Sequence, residues 1–373
     1  MVNETMKGFR DYSGEEAYKR AEIKKIIVET FEQFGFEPAE TPIIESEEFV
    51  KGDNREDEAV SDIYRLKDKG NRKLALRYEF TFQLKRLMKN KKLPWKRYQI
   101  GDVFRDEPTS SSRFRQFTQC DADIVGSTIK DEAEILATTK EILARLGIKF
   151  TIYFNSRKLL NEILNDLNIK DKIKVTREID KLDKLSEKEI ISNMKKFRAE
   201  KILTIFKKPE SYFKKYRSYS EIQELKDYCK NYGFKIEFLP SLARGLSYYN
   251  GTVFEIKGTA KETITAGGSY KFNDVQCTGI SFGLDRISAL AKIKQGGERY
   301  LIVSLNKNKE AIKLSQNLRK KNKIVSVYYG KPSKSLQYAN SYNYNKVIFV
   351  GEKEIKNKKF KVKDMKSGKE KLL

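Results

Sequence analysis

Tyr98-Gln-Ile-Gly-Asp-Val-Phe-Arg-Asp-Glu-Pro108, followed by Arg113-Phe-Arg-Gln-Phe-Thr-Gln-Cys-Asp-Ala-Asp123, is the stretch that decides the fold. Tyr98–Phe104 reads as a strand, and Arg115–Val125 alternates weakly before returning at Gly126, so the two can pair as one long hairpin. That pairing sets Arg105-x-Glu107 on one arm and Arg113-x-x-x-Phe117 on the other. A planar guanidinium binds phosphoryl oxygens in bidentate fashion, and an aromatic face accepts a purine. The plainer alternative is a hairpin carrying a surface ion pair between Arg105 and Glu107.

Upstream of the hairpin, Ser13 and Glu16 form a capping-box pattern, and Ile23, Ile26, Ile27, Phe31 and Phe34 then recur at helical spacing until Gly35 stops them. Glu37–Glu45, with Pro38 and Pro42, and the runs Ile63–Leu66 and Leu74–Arg77 are short, turn-bounded strand signals. Downstream, Asp131–Leu146 reads as a helix. Between about Ser156 and Phe234 the pattern changes to short amphipathic helices such as Lys158–Leu167 and Glu187–Phe206, an expected helical insertion. Strand signals resume at Lys235–Leu239, Thr252–Ile256, Thr263–Ala266 and Thr278–Ser281, and Phe282–Lys294 reads as a helix. The expectation is an α+β domain with a mixed, mainly antiparallel sheet flanked by helices, in two parts (residues 1–155 and 235–297) around an insertion at 156–234. From residue 298 to 373, strands Tyr300–Leu305, Ile324–Tyr329 and Lys346–Val350 alternate with helices Glu310–Lys321 and Ser335–Asn343, which predicts a small α/β domain. The lysine-rich tail after Lys356 still alternates through Phe360, Val362 and Met365.

The chain has 373 residues and no histidine, which removes Ser-His-Asp and Cys-His nucleophiles and His-ligated metal sites together. Catalysis by positioned charge remains; compositional drift is the default cause of the missing residue. Cys120, Cys229 and Cys277 lie far apart without CxxC spacing, so neither a disulfide framework nor a zinc cluster is expected, and a reducing cytoplasm is. The first residues hold no apolar signal core, and no run approaches the ~18 apolar residues of a membrane span. Against 52 Asp and Glu stand 76 Lys and Arg, a net charge of +24. From Arg299 onward there are 20 Lys and Arg against 5 Asp and Glu. A basic terminal module points to nucleic acid held through its phosphates.

The hairpin resembles motif 2 of class II aminoacyl-tRNA synthetases. That resemblance implies that Arg105 holds the α-phosphate of ATP, that Phe117 stacks on adenine, that Glu107 faces the nucleotide and that Arg113 reaches the outer phosphates. Glu40-Thr41-Pro42 resembles the motif 1 strand that builds the dimer interface, and Gly279-Ile-Ser-Phe-Gly-Leu-Asp-Arg286 resembles motif 3, whose arginine, Arg286 here, contacts the γ-phosphate. Leu242-Ala-Arg-Gly-Leu-Ser-Tyr-Tyr-Asn-Gly-Thr-Val-Phe-Glu255 and Ala266-Gly-Gly-Ser-Tyr270 resemble the two signatures of histidyl-tRNA synthetases.

That resemblance implies ATP-dependent activation of histidine, transfer to tRNA(His), a homodimer, and Mg²⁺ accompanying ATP, with no metal bound by the protein itself. It makes Arg244 a second ligand of the α-phosphate. Tyr248, Tyr249 and Tyr270 would line the imidazole pocket, Asp123 would face the ring nitrogens, and Glu79, Thr81 and Gln119 would hold the ammonium. A carboxylate and a phenol can satisfy both nitrogens, which an apolar wall would leave unpaired. The basic terminal module resembles the anticodon-binding domain shared by the histidine, threonine, proline and glycine enzymes. Ser247, Ser269 and Lys271 depart from the family pattern, while Arg77-Tyr-Glu and Gln119-Cys-Asp look closer to its archaeal and eukaryotic branch. Two alternatives stay open: another class II synthetase of the subgroup, or the synthetase-like regulatory subunit of ATP phosphoribosyltransferase, which binds histidine without charging tRNA.

Overall fold

The computed structural model describes the chain apart from residues 1–3, 53–57, 111–112, 183–184, 246–247, 261, 294–296 and 358. Helix α1 (Gly14–Gln33) leads into β1 (Glu37–Pro38), β2 (Ile44–Ser46), α2 (Glu47–Lys51), α3 (Glu58–Ser61), β3 (Arg65–Lys67) and β4 (Lys73–Leu76). After α4 (Leu84–Leu87) come β5 (Trp95–Phe104), β6 (Gln116–Val125), α5 (Ile129–Arg145) and β7 (Phe150–Ser156). Five helices follow, α6 (Arg157–Asp166), α7 (Lys172–Ile179), α8 (Glu187–Lys196), α9 (Lys201–Phe206) and α10 (Tyr219–Asn231). The chain then returns through β8 (Glu237–Phe238), β9 (Tyr249–Gly258), β10 (Thr263–Phe272), β11 (Val275–Gly283) and α11 (Leu284–Leu290).

These strands make an eight-stranded sheet in the order β1-β5-β6-β11-β10-β9-β7-β8 and a three-stranded one in the order β2-β4-β3. In the larger sheet the six strands from β5 to β7 pair antiparallel, and only β1 and β8 join at the edges in parallel. Side chains alternate across a strand. On β6, Cys120, Ala122 and Ile124 therefore enter the hydrophobic cluster built with α1, α5 and α11, while Phe117, Gln119, Asp121 and Asp123 face the other way. Each large apolar side chain buried in that cluster contributes about 1.5–3 kcal/mol. The cluster takes in Leu159 and Ile163 of α6, Val175 of α7, Met194 of α8, Ile202 of α9 and Leu225 of α10. The helices between β7 and β8 thus share the sheet's core.

Four local readings change. Glu37–Glu45 is not one strand: Glu37 and Pro38 pair with β5, whereas Ile44 begins the small sheet, because prolines at 38 and 42 cannot donate to a ladder. Glu187–Phe206 is two helices, interrupted where Arg198 takes φ +58°. The expected helix Phe282–Lys294 shortens to Leu284–Leu290, since β11 keeps Phe282 and Gly283, and Lys294 lies outside the described residues. Strand β7 was not anticipated.

The C-terminal chain forms β12 (Arg299–Ser304), α12 (Asn308–Lys320), β13 (Ile324–Tyr328), α13 (Pro332–Ser341), β14 (Lys346–Val350), α14 (Glu352–Lys356), β15 (Lys361–Asp364) and β16 (Glu370–Leu372). Its sheet runs β13-β12-β14-β15-β16, with β12 parallel to both neighbours and the last two pairs antiparallel. Ile302 and Ile348 pack on one face, Leu301 and Val347 on the other. By contacts the chain divides into one unit of Met1–Tyr12 with Lys19–Ile293 and a second of Ser13–Tyr18 with Lys294–Leu373. Among the described residues no helix is long and apolar enough to cross a membrane.

Candidate active site

The antiparallel register assembles the site on the sheet face turned away from the core cluster. Arg97 lies opposite Asp123, Gln99 opposite Asp121, Gly101 opposite Gln119 and Val103 opposite Phe117. On the other flank of β6, Gly279 pairs with Asp123, Ser281 with Asp121 and Gly283 with Gln119. The glycine is required by space: a Cβ at residue 279 would stand 2.1 Å from Oδ1 of Asp123. At Gly267 it would stand 2.1 Å from the carbonyl oxygen of Gly279. Bare backbone at Gly279 on β11 is what makes room for the carboxylate, while Gly267 lets β10 lie close to β11 and Phe254.

That carboxylate is doubly held. Nη2 of Arg97 lies 2.8 Å from Oδ2 of Asp123, and the Tyr270 hydroxyl donates to Oδ1. Burial pushes the Asp123 carboxyl up, against the pull of Arg97 and of the Tyr270 hydrogen bond. Two residues along, Asp121 is pushed up to about 7 by burial and by the charge of Asp123. Its Oδ2 accepts a 2.7 Å hydrogen bond from the Gln119 amide, which is thereby oriented along the strand.

Three tyrosines close one side. The rings of Tyr248 and Tyr249 are 4.7 Å apart, and Tyr248 meets Tyr270 edge-on at 5.5 Å. Burial raises the pKa of all three, so they remain neutral phenols. The charges of Glu79, Arg244 and Asp123 all reach Tyr249. Glu79 and Thr81 are buried in the turn that precedes α4, and Thr81 accepts the backbone N–H of Leu84. Arg244 has Nη1 3.6 Å from Oε1 of Glu255. Burial opposes its charge, but the oxygens of Tyr249, Asp180, Glu255 and Tyr248 outweigh that and raise its pKa. Its buried Nε has no partner among the described residues, a donor suited to an anionic oxygen.

At the far end of the hairpin, Nε of Arg105 donates to the Tyr78 carbonyl at 3.1 Å, and its guanidinium lies 5.2 Å from the Phe117 ring centroid. Glu107 forms an ion pair with Arg113, whose side chain is 60% exposed. Arg286 donates to the carbonyl of Thr263, while the Thr263 hydroxyl donates to Glu255 at 2.8 Å. Glu255 therefore links Arg286 to Arg244 through one threonine. Lys257 adds a second cation, 3.3 Å from Glu255.

The structure thus gathers Asp123, Tyr248 and Tyr270 beside Tyr249, within reach of the charges of Glu79 and Arg244, with Gln119 beyond Asp121 on the same face of β6 and Arg105, Glu107, Arg113 and Phe117 on the hairpin's outer part. The ion pair expected as the plain alternative, Arg105 to Glu107, is not the one that forms; Arg113 takes Glu107. Ser247 lies outside the described residues. Ser269 turns to the opposite face and donates to Glu132 of α5, and Lys271 is exposed, so both flank Tyr270 without sharing its pocket. Sequence reasoning missed Arg97, Asp121, Lys257 and Asp180, whose Oδ2 would stand 3.1 Å from a Cβ at residue 245. Alternation on β5 and β6 pairs Arg97 with Asp123 once the register is known; nothing local announces Asp180, which arrives from the end of α7.

The model of the family described as Histidyl-tRNA synthetase matches residues 8–287, and that described as Anticodon binding domain matches residues 300–373. A "Histidine--tRNA ligase 1" of Bacillus anthracis is 33% identical over 98% of this chain and 96% of its own length. A "Histidine--tRNA ligase" of Wolinella succinogenes is 34% identical over 98% of this chain and 95% of its own. Among solved structures, the histidyl-tRNA synthetase of Nostoc sp. PCC 7120 superposes with a TM-score of 0.87 at 25% identity, covering 100% of this chain and 97% of that one. All three are bacterial, so the archaeal and eukaryotic look of Arg77-Tyr-Glu and Gln119-Cys-Asp does not place the chain on that branch.

Proposed function

The chain belongs to the histidyl-tRNA synthetase family and acts as a histidine–tRNA ligase, and we propose that Arg105 and Arg244 are the cations that carry its first step. In that step the histidine carboxylate attacks the α-phosphorus of ATP, pyrophosphate leaves, and charge accumulates on the phosphoryl oxygens. Two guanidiniums fixed before the reaction stabilise that charge without reorganising, and an aimed donor of this kind is worth about 3–4 kcal/mol. The observation that carries the reading is Arg244, a half-buried guanidinium in the field of Tyr249, Asp180, Glu255 and Tyr248 whose buried Nε has no partner among the described residues.

Around it, Phe117 offers its face to adenine, and Glu107, Arg113 and Arg286 reach the nucleotide once they release their own partners. Glu79, Thr81 and Gln119 hold the ammonium of histidine. Asp123 accepts the imidazole N–H, a tyrosine hydroxyl donates to the other ring nitrogen, and Tyr248, Tyr249 and Tyr270 exclude water. In the transfer to the 3′ end of tRNA(His), a phosphate oxygen takes the ribose proton, a step that asks for no imidazole from the chain. Mg²⁺ fits as a counterion brought by ATP, since the carboxylate beside Arg105, Glu107, is already neutralised by Arg113. The second unit, with its excess of lysine, grips the tRNA backbone and reads single-stranded anticodon bases. Pairing of two chains through the segment at Glu40-Thr41-Pro42 is supported by Ile43 and Ile44 beside it, 45% and 50% exposed. The cytoplasm suits three unpaired cysteines.

Pyrophosphate exchange with each amino acid in turn tests the reading: histidine alone should support it. Arg244→Ala should lower that exchange by about 10²–10³-fold while histidine still binds. Exchange near wild type would remove Arg244 from the chemistry.

A further inference from the structure

Among the described residues Arg97 is the largest fully buried side chain, at 0% exposure. Its Nη2 reaches Oδ2 of Asp123 at 2.8 Å and the carbonyl of Phe80 at 3.2 Å, and its Nη1 lies 3.5 Å from Oε1 of Gln99. A guanidinium does not give up its proton in a protein, so the charge on Asp123 is met by a permanent opposite charge. The other titratable and charged groups on this side of the sheet come from β6, β9, β10, β11 and the segments just before α4 and β9. Tyr270 on β10, Tyr249 on β9 and Cys277 on β11 are all pushed up by burial and stay neutral. Asp121 on β6 is a further acid, and around Tyr249 stand Glu79, from the turn before α4, the cation Arg244 and the neutral phenol of Tyr248.

We propose that Arg97 is a specificity-determining residue that makes this pocket take the neutral imidazole and refuse the imidazolium. A neutral ring has one N–H to give and one lone pair to fill; an imidazolium has two N–H groups and none. With Arg97 offsetting Asp123, and Arg244 offsetting Glu79 around Tyr249, the pocket offers one accepting carboxylate and phenols able to donate, and no uncompensated charge to retain a second proton on the ring. Without Arg97, the same carboxylate would favour the imidazolium as its counterion. The inference rests on Asp123 and its tyrosines being the groups that hold the ring.

The test compares histidine with its triazole analogue, whose ring stays unprotonated over the range used. Dissociation constants of both from the wild-type protein are measured from about pH 5.5 to 8. The histidine constant is expected to rise about tenfold per pH unit below about pH 6.5, relative to the analogue. The ratio is read below about pH 6.5, where Asp121, with its pKa pushed up to about 7, is mostly protonated for both ligands. A flat ratio, or one that falls with acid, overturns the proposal. Arg97→Met should reverse the trend, so that histidine gains on the analogue as pH falls; an unchanged profile overturns the role of Arg97. Should that variant not fold, Arg97→Lys is expected to keep the wild-type profile even with weaker binding, and a reversed profile there is equally fatal. Asp123→Asn separates the two levels. Unchanged histidine affinity in that variant would displace the pocket assignment itself, whereas lost affinity beside a flat wild-type ratio would refute only the selection by Arg97.

Discussion

On the eight-stranded sheet Arg97 and Asp123 meet with 0% and 5% of their side chains exposed, whereas on the five-stranded sheet Lys346 and Asp364 meet at 2.6 Å with 22% and 30% exposed. The carboxyl groups respond in opposite senses. Burial pushes Asp121 and Asp123 up, while Lys346 and the Ser367 N–H and hydroxyl hold Asp364 well below the usual carboxylate range. In the first region a charge is withdrawn from water and acts through where it stands. In the second, water shares the charge, and what counts is how many there are. Removing one partner of a withdrawn pair costs about 3–5 kcal/mol, because the other charge is stranded; exposed pairs are screened and individually replaceable.

The largest effect expected from testing this contrast is at Gly279. Ala there would drive a methyl against Oδ1 of Asp123, 2.1 Å away, with the Ala122 carbonyl at 3.2 Å behind it. Overpacking of this kind costs about 1–3 kcal/mol in stability, and the displaced carboxylate should reduce pyrophosphate exchange by about 100-fold or more. Near-normal exchange would mean that the sheet yields and position matters less than supposed.

Next comes Asp121. Its folded pKa of about 7 exceeds an unfolded value of about 3.9, so the folded state holds the extra proton and stability falls as pH rises between them. Asp121→Asn should remove that fall, up to about 1.4 kcal/mol per pH unit, leaving the variant more stable than wild type at about pH 8. Denaturant melts across pH check it; parallel curves would contradict the burial argument.

The basic unit should behave differently. Lys331→Ala with Lys334→Ala, both exposed, should weaken tRNA charging a few-fold and lower the salt dependence of tRNA binding by about one unit of slope per lost phosphate contact, with pyrophosphate exchange unchanged. Equal loss in both assays would erase the distinction between the two regions. The smallest effect belongs to Asp364→Asn. A depressed pKa contributes stability above the ordinary carboxylate range and loses it as pH falls, so the variant should melt slightly lower than wild type at neutral pH and together with it in strong acid.

Much of this was readable from the chain. The hairpin follows from its strand signals, Phe117, Gln119 and Asp123 stand out by resemblance to the family motifs, and the basic tail follows from counting, while the register comes from the structure. Strand β7 escaped because Phe150–Ser156 sits between two strong helical patterns, and in the tail the alternation through Phe360, Val362 and Met365 is visible but too diluted by lysine to delimit β15 and β16. Arg97 escaped for a different reason. A lone arginine in a strand announces exposure, and only the partner facing it across the ladder makes burial tolerable. Asp180 is further still: it becomes part of the site through the packing of α7, a relation that no local spacing encodes.

The Arg97–Asp123–Tyr270 cluster sits in a protein with no imidazole of its own. In a nuclear magnetic resonance spectrum, the aromatic signals characteristic of that ring can come only from the bound amino acid. Ring-nitrogen shifts of isotope-labelled histidine would then report its tautomer and protonation inside the pocket against an empty background, an observation that most enzymes obscure with their own side chains.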